Sequence, residues 1–75
     1  MRLKDTTPTE EIRALSVNVG DLISINNIDY LSVWSLASLM NGRNVGIRFV
    51  ERDANGRRLY VNLRVRNFVR RAVQA

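Results

Sequence analysis

Residues 45–66 keep a period of two. Val45, Ile47 and Phe49 alternate with Gly46, Arg48 and Val50. Beyond Asp53-Ala54-Asn55-Gly56, Leu59, Val61, Leu63 and Val65 alternate with Arg58, Tyr60, Asn62, Arg64 and Arg66. Successive side chains of a strand point to opposite faces, and Asn-Gly supplies the positive φ of a tight turn. The segment therefore predicts a long antiparallel hairpin, apolar on one face and polar on the other. In a chain of 75 residues that hairpin dictates the rest. Whatever precedes and follows it must cover its apolar face, so a single domain over 1–75 is expected.

The flanking segments are read from local signals. Residues 1–6 read as a loose arm. Thr7-Pro8-Thr9-Glu10 has the form of a capping box with Pro at the first helical position, and Ile12 and Leu15 give one apolar edge. A short helix ending by Ser16 is the expectation. Ile23 and Ile25 alternate with Ser24 and Asn26, so Asp21–Asn26 predicts a strand. Asn26-Asn27 suits a tight turn into a returning strand over Ile28–Trp34. Residues 29–41 carry two patterns. Tyr30, Leu31, Val33 and Trp34 favour a strand, whereas Leu36, Ala37, Leu39 and Met40 favour a helix ended by Gly42. The reading adopted is strand through Ser35 followed by a loop or helical turn. The alternative is an α+β fold with a helix at about 30–41. Tyr30 and Trp34 are expected in the core. After Asn67, Phe68, Val69, Ala72 and Val73 recur at helical spacing and predict a C-terminal helix or helical turn.

Composition narrows the function. The chain has neither Cys nor His, so disulfides and the usual zinc and iron sites are excluded, and no metal or cofactor is expected. No activated Ser or Cys nucleophile can be assembled, and the only lysine, Lys4, lies in the arm. Asp21, Asp29, Glu51 and Asp53 sit at turns or strand ends, where capping and solvation account for them. Asn41-Gly42-Arg43-Asn44-Val45-Gly46 lacks phosphate-loop spacing and leads into a strand. No enzymatic activity or small-molecule substrate is expected. No apolar run approaches the roughly 18 residues of a membrane span, and no signal-peptide core follows Met1, which predicts a cytoplasmic protein without a membrane partner.

The charge is uneven. Residues 1–41 carry three basic and five acidic side chains, whereas residues 42–75 carry nine Arg against Glu51 and Asp53. Period two sorts Arg58, Tyr60, Asn62, Arg64 and Arg66 onto one side of their strand, with Arg48 on the same side of its neighbour. Arg52 and Arg57 stand near the turn. Arg70 and Arg71 would extend the track from the C-terminal helix. Guanidinium forks beside an aromatic ring hold phosphates and stack bases, so these ten residues are the candidate nucleic-acid site. Alternating Arg on an edge hairpin also discourages sheet-to-sheet aggregation, which is the plain structural reading of the same pattern.

Gly20-Asp21-Leu22-Ile23-Ser24-Ile25-Asn26-Asn27-Ile28-Asp29-Tyr30-Leu31-Ser32-Val33 resembles the opening of a small SH3-like barrel. It is similar to the KOW-type N-terminal domain of elongation factor P, and Gly42, Val45–Val50, Gly56 and Leu59–Arg64 continue the pattern over about residues 17–66. The resemblance implies a mainly β, SH3-like antiparallel barrel that binds RNA, a ribosome or RNA polymerase, or serves as a protein adaptor. Where that family carries a modifiable lysine, this chain reads Ser35-Leu36-Ala37-Ser38-Leu39-Met40-Asn41-Gly42-Arg43, without lysine.

Two functions follow as expectations. One is a non-enzymatic nucleic-acid-binding module, RNA ahead of DNA. The other is a small regulator, phage-encoded or cellular, that docks on an acidic protein surface of a nucleic-acid machine. In that case Leu36, Leu39 and Met40 form an exposed apolar anchor beside Arg43.

Overall fold

The described residues form six strands: β1 (Thr9–Arg13), β2 (Leu22–Ser24), β3 (Leu31–Leu39), β4 (Asn44–Arg52), β5 (Arg58–Arg64) and β6 (Phe68–Ala72). The structure is a computed structural model that describes residue 3 and residues 7–73; the expected arm over 1–6 otherwise lies outside the described residues. Single 3-10 turns at Ala14–Ser16 and Met40–Gly42 are the only helical elements among the described residues. The strands form one open antiparallel sheet in the order β1-β6-β2-β3-β4-β5, with β1 and β5 as its edges. The mainly β expectation holds at this level.

The β4–β5 hairpin forms as its period dictates. Val45 pairs with Leu63 and Ile47 with Val61, while Arg48 stands opposite Tyr60. Ile47 and Phe49 are buried, and Val45, Leu59, Val61 and Leu63 pack against the core from β4 and β5. The turn is built by Asp53: its carboxylate accepts the amides of Asn55 and Arg57, and Gly56 takes φ 78°. The core cluster also draws Val17, Ile23 from β2, Val33 from β3 and Val69 from β6, so both halves of the sheet enclose one apolar centre.

Strand β3 joins those halves. Its first residues pair with β2, Leu31 with Ile23 and Ser32 with Leu22. From Val33 onward it pairs with β4. Between Val33 and Ser35 the register shifts, leaving Trp34 as the extra residue of a bulge. There Glu51 turns its carboxylate onto the Ser32 amide at 3.0 Å, satisfying a donor at the place where the ladder opens.

Three expectations are corrected. The N-terminal helix is absent: Thr9–Arg13 is a strand, with Ile12 opposite Val69 of β6. The C-terminal helix is absent as well, because Phe68–Ala72 is a strand paired on both sides, with β1 and with β2. A rung on each side satisfies backbone groups that one or two helical turns would leave partly unpaired at their ends. The α+β alternative also falls, since β3 runs extended to Leu39 and only Met40–Gly42 turns. Smaller differences concern the first hairpin. It closes through a loop rather than a two-residue turn: Asn27 takes φ 64°, and the Asn26 side chain accepts the amides of Ile28 and Asp29.

Arg71 ties β6 to its surroundings. Its guanidinium is hydrogen-bonded and ion-paired to the Glu10 carboxylate on β1, and it lies 3.2 Å from Asp21 Oδ2. These hydrogen bonds, the Glu10 one first, hold the Arg71 guanidinium above its usual pKa against the opposing effect of burial. A raised basic pKa contributes stability that is complete below the unfolded-state value and fades only in strong alkali, so the Arg71 charge is constant through neutral pH. Arg71→Gln is expected to lower the thermal midpoint and to speed amide exchange in β1, whereas Arg57→Gln at the exposed hairpin turn leaves both unchanged. Removing one methyl from the core by Ile47→Val, at a side chain that is 0% exposed, is expected to cost about 1 kcal/mol in urea unfolding with an unaltered m-value.

Candidate functional site

The polar face of β3, β4 and β5 gathers the strongest chemistry in the molecule. Along β5, Tyr60, Asn62 and Arg64 are exposed, and Arg58 lies on the same parity. Arg48 stands opposite Tyr60 with its Cζ 5.4 Å from the ring centroid. Asn44 donates from Nδ2 to Asn62 Oδ1 at 2.8 Å. Five of the ten residues expected from sequence, Arg48, Arg58, Tyr60, Asn62 and Arg64, are thus brought together.

Trp34 completes the face, and it is the correction that matters most to the site. It is not a core residue: it is 48% exposed, and the Arg58 guanidinium stacks 4.0 Å from its ring centroid. Arg58 is fixed a second time by its Nη1 donating to the Val50 carbonyl at 3.0 Å. The bulge is the cause. An extra residue resets the parity of β3, so strict counting does not reveal which way Trp34 faces. Tyr30, the other aromatic expected inside, is buried as expected.

Gly46 sets the position of Tyr60. A Cβ at Gly46 would lie 2.7 Å from Tyr60 Oη and 3.1 Å from both Tyr60 Cε2 and Leu39 Cδ1. The ring of Tyr60 therefore lies across the β4 backbone, in space that any other residue at 46 would fill. The signal in the sequence is a glycine at an outward position of an otherwise regular strand.

The other expected residues are dispersed. Arg52 donates to the Gly56 carbonyl and braces the hairpin turn, with Arg57 exposed beside it. Arg66 is exposed just beyond β5, and its carbonyl accepts Arg13 Nη1. Arg70 donates to Thr9 Oγ1 and Arg71 is ion-paired, both on β6. β6 follows β5 through the turn in which the Asn67 amide bonds the Arg64 carbonyl, but both side chains are committed to partners on the β1 side, Thr9 and Glu10, and are not free to extend the track. Of the alternative anchor, Leu36 packs against the core and Leu39 is partly buried on β3, leaving Met40 exposed beside Arg43. A separate stack, Arg13 over Phe68 at 4.6 Å, lies on the β1–β6 half.

The two acids of the basic half are both spent on backbone: Glu51 on the Ser32 amide, Asp53 on its own turn. Neither carboxylate forms an ion pair with an arginine of the face, and among the described residues the ion pairs belong to Arg71, so the guanidinium groups of the face are left to meet a polyanion. Among the described residues no group of three or more acidic side chains converges as a metal site, and no helix is long and apolar enough to cross a membrane.

The single tryptophan reports on this arrangement. Arg58→Gln is expected to increase acrylamide quenching of Trp34 fluorescence, and Gly46→Ala is expected to displace Tyr60 while leaving that quenching unchanged; equal quenching in wild type and Arg58→Gln refutes the stacked geometry. In comparisons with known proteins, the chain matches no family model, no curated protein and no solved structure.

Proposed function

We propose that the chain is a non-enzymatic module that binds single-stranded nucleic acid, RNA ahead of DNA, across the outer face of β3, β4 and β5. The observation that carries this reading is the pair of exposed aromatic rings, Trp34 and Tyr60, each backed by a guanidinium on a face without a free carboxylate. Bases stack on such rings without regard to sequence, while Arg48, Arg58 and Arg64 meet phosphates with forked hydrogen bonds. The Asn44–Asn62 pair offers amide groups to base edges. The preference for RNA follows the resemblance to SH3-like barrels. What supports that fold reading is the run β2-β3-β4-β5 followed by β6 returning to β2, around one shared core.

A second reading is a regulator that meets an acidic protein surface with the same arginines. It is favoured by Met40, 67% exposed next to Arg43. Met40→Ser is expected to weaken such a complex and to spare oligonucleotide binding.

The deciding experiment is a titration of Trp34 fluorescence with short single-stranded RNA and DNA at two salt concentrations. With three phosphate contacts, affinity is expected to fall roughly 20-fold between 50 and 200 mM salt. Trp34→Ala is expected to cost about 1–3 kcal/mol, the value of one stacked base. No binding of either polymer at 50 mM salt removes the proposal.

A further inference from the structure

The arginines of this chain divide by what their side chains already do. Arg13, Arg52, Arg58 and Arg70 donate to carbonyl or hydroxyl oxygens, Arg71 is ion-paired, and Arg48 lies over Tyr60. Among the described residues, Arg43, Arg57, Arg64 and Arg66 have no side-chain partner of these kinds within the fold, and three of those four line one groove.

That groove has a volume of about 690 Å³ and is walled by the Met40–Asn44 turn on one side and Arg64–Arg66 on the other. The Arg43 carbonyl accepts the Val65 amide at 3.0 Å, so turn and strand end are held in register across its floor. Arg43, Arg64 and Arg66 contribute three positive charges, and no carboxylate lines it. Its size lies within the roughly 300–1,000 Å³ of small-ligand sites. It also lies at one end of the outer face. Along β5 the series Arg58, Tyr60, Asn62, Arg64 covers roughly 20 Å and runs into the groove.

We infer that this groove receives a phosphomonoester dianion, the terminal phosphate of the strand that lies along the β3–β4–β5 face. The inference rests on the nucleic-acid reading and adds the end of the chain to it. An internal phosphodiester carries one charge and two free oxygens. A terminal phosphate carries nearly two charges at pH 7 and three strong acceptor oxygens, which three guanidinium forks can fill. Arg64 serves both the face and the groove; Arg43 and Arg66 belong to the groove.

The test compares one short single-stranded RNA carrying a 5′-phosphate, a 3′-phosphate or hydroxyls at both ends, at fixed salt. One phosphorylated form is expected to bind about tenfold tighter than the unphosphorylated one, as for hydrogen bonds to charged groups. The double variant Arg43→Gln, Arg66→Gln is expected to bring that ratio to about one. Arg48→Gln is expected to weaken all three oligonucleotides and keep the ratio. Equal affinity for all three ends overturns the inference while leaving the nucleic-acid reading intact, and so does a ratio unaffected by the double variant. If no oligonucleotide binds, the nucleic-acid reading fails, and inorganic phosphate then decides for the groove alone. Amide shifts confined to residues 42–44 and 64–66 uphold it as a phosphate site; their absence overturns it.

Discussion

Everything in this molecule hangs on one bent strand. Among the described residues β3 is the only strand that pairs with both halves of the sheet, with β2 through Leu31 and Ser32 and with β4 from Val33 onward. A chain this short has little apolar surface to bury, and a flat six-stranded sheet would leave much of it wet. Bending β3 at Trp34 lets β2, β4 and β6 contribute to a single cluster that Val33 joins from β3 itself. The same bulge that folds the sheet inward turns the tryptophan outward. Core and candidate site are two products of one extra residue, with the Glu51 carboxylate satisfying the amide that the distortion frees.

The arginines show how little a net charge says by itself. Several of them are structural: Arg52 braces a turn, Arg71 clasps β1 and Arg13 covers the Phe68 ring. Arg52, Arg71 and Arg13, committed in this way, have lost rotamer freedom to the fold and are poor candidates for a new partner, whereas Arg48 and Arg58 lie over rings of the outer face and keep further N–H donors to offer. Selectivity for a ligand then depends on the few guanidinium groups left over and on where the backbone places them. In this chain they are concentrated at the end of β5 rather than spread along it.

The hairpin is legible in the sequence because apolar and polar residues alternate along both strands, even though their pairing slips between Arg48 and Arg52, and because Asp53 and Gly56 each have a local task in the turn. Five of ten expected site residues follow from that parity alone. The terminal strands are not legible. Thr7-Pro8-Thr9-Glu10 is a sound helix start in isolation, but its residues pair with a segment some 60 positions away, and no local signal encodes that partner. In β6 the buried residues Val69 and Ala72 fall on opposite parities, which erases the period-two signature and imitates helical spacing. Trp34 escapes the counting for a related reason: a bulge cancels the rule that sorts its neighbours.

The pairing of β1 with β6 also decides how the protein would respond to being pulled. Thr9 lies opposite Ala72, and the Val73 amide donates to the Pro8 carbonyl, so the chain enters and leaves the fold at the same end of one antiparallel pair. Tension applied through residues 8 and 73 loads those rungs one after another, as a zipper is opened, instead of shearing them all at once. Separation would begin at Pro8 and run toward Arg13, with the Arg71–Glu10 pair among the first to part. The β3–β4–β5 face stands on the other side of β2, and the load reaches it last, through the turn that joins β5 to β6. A tether at either terminus would peel the outer pair before it disturbed the arginine face.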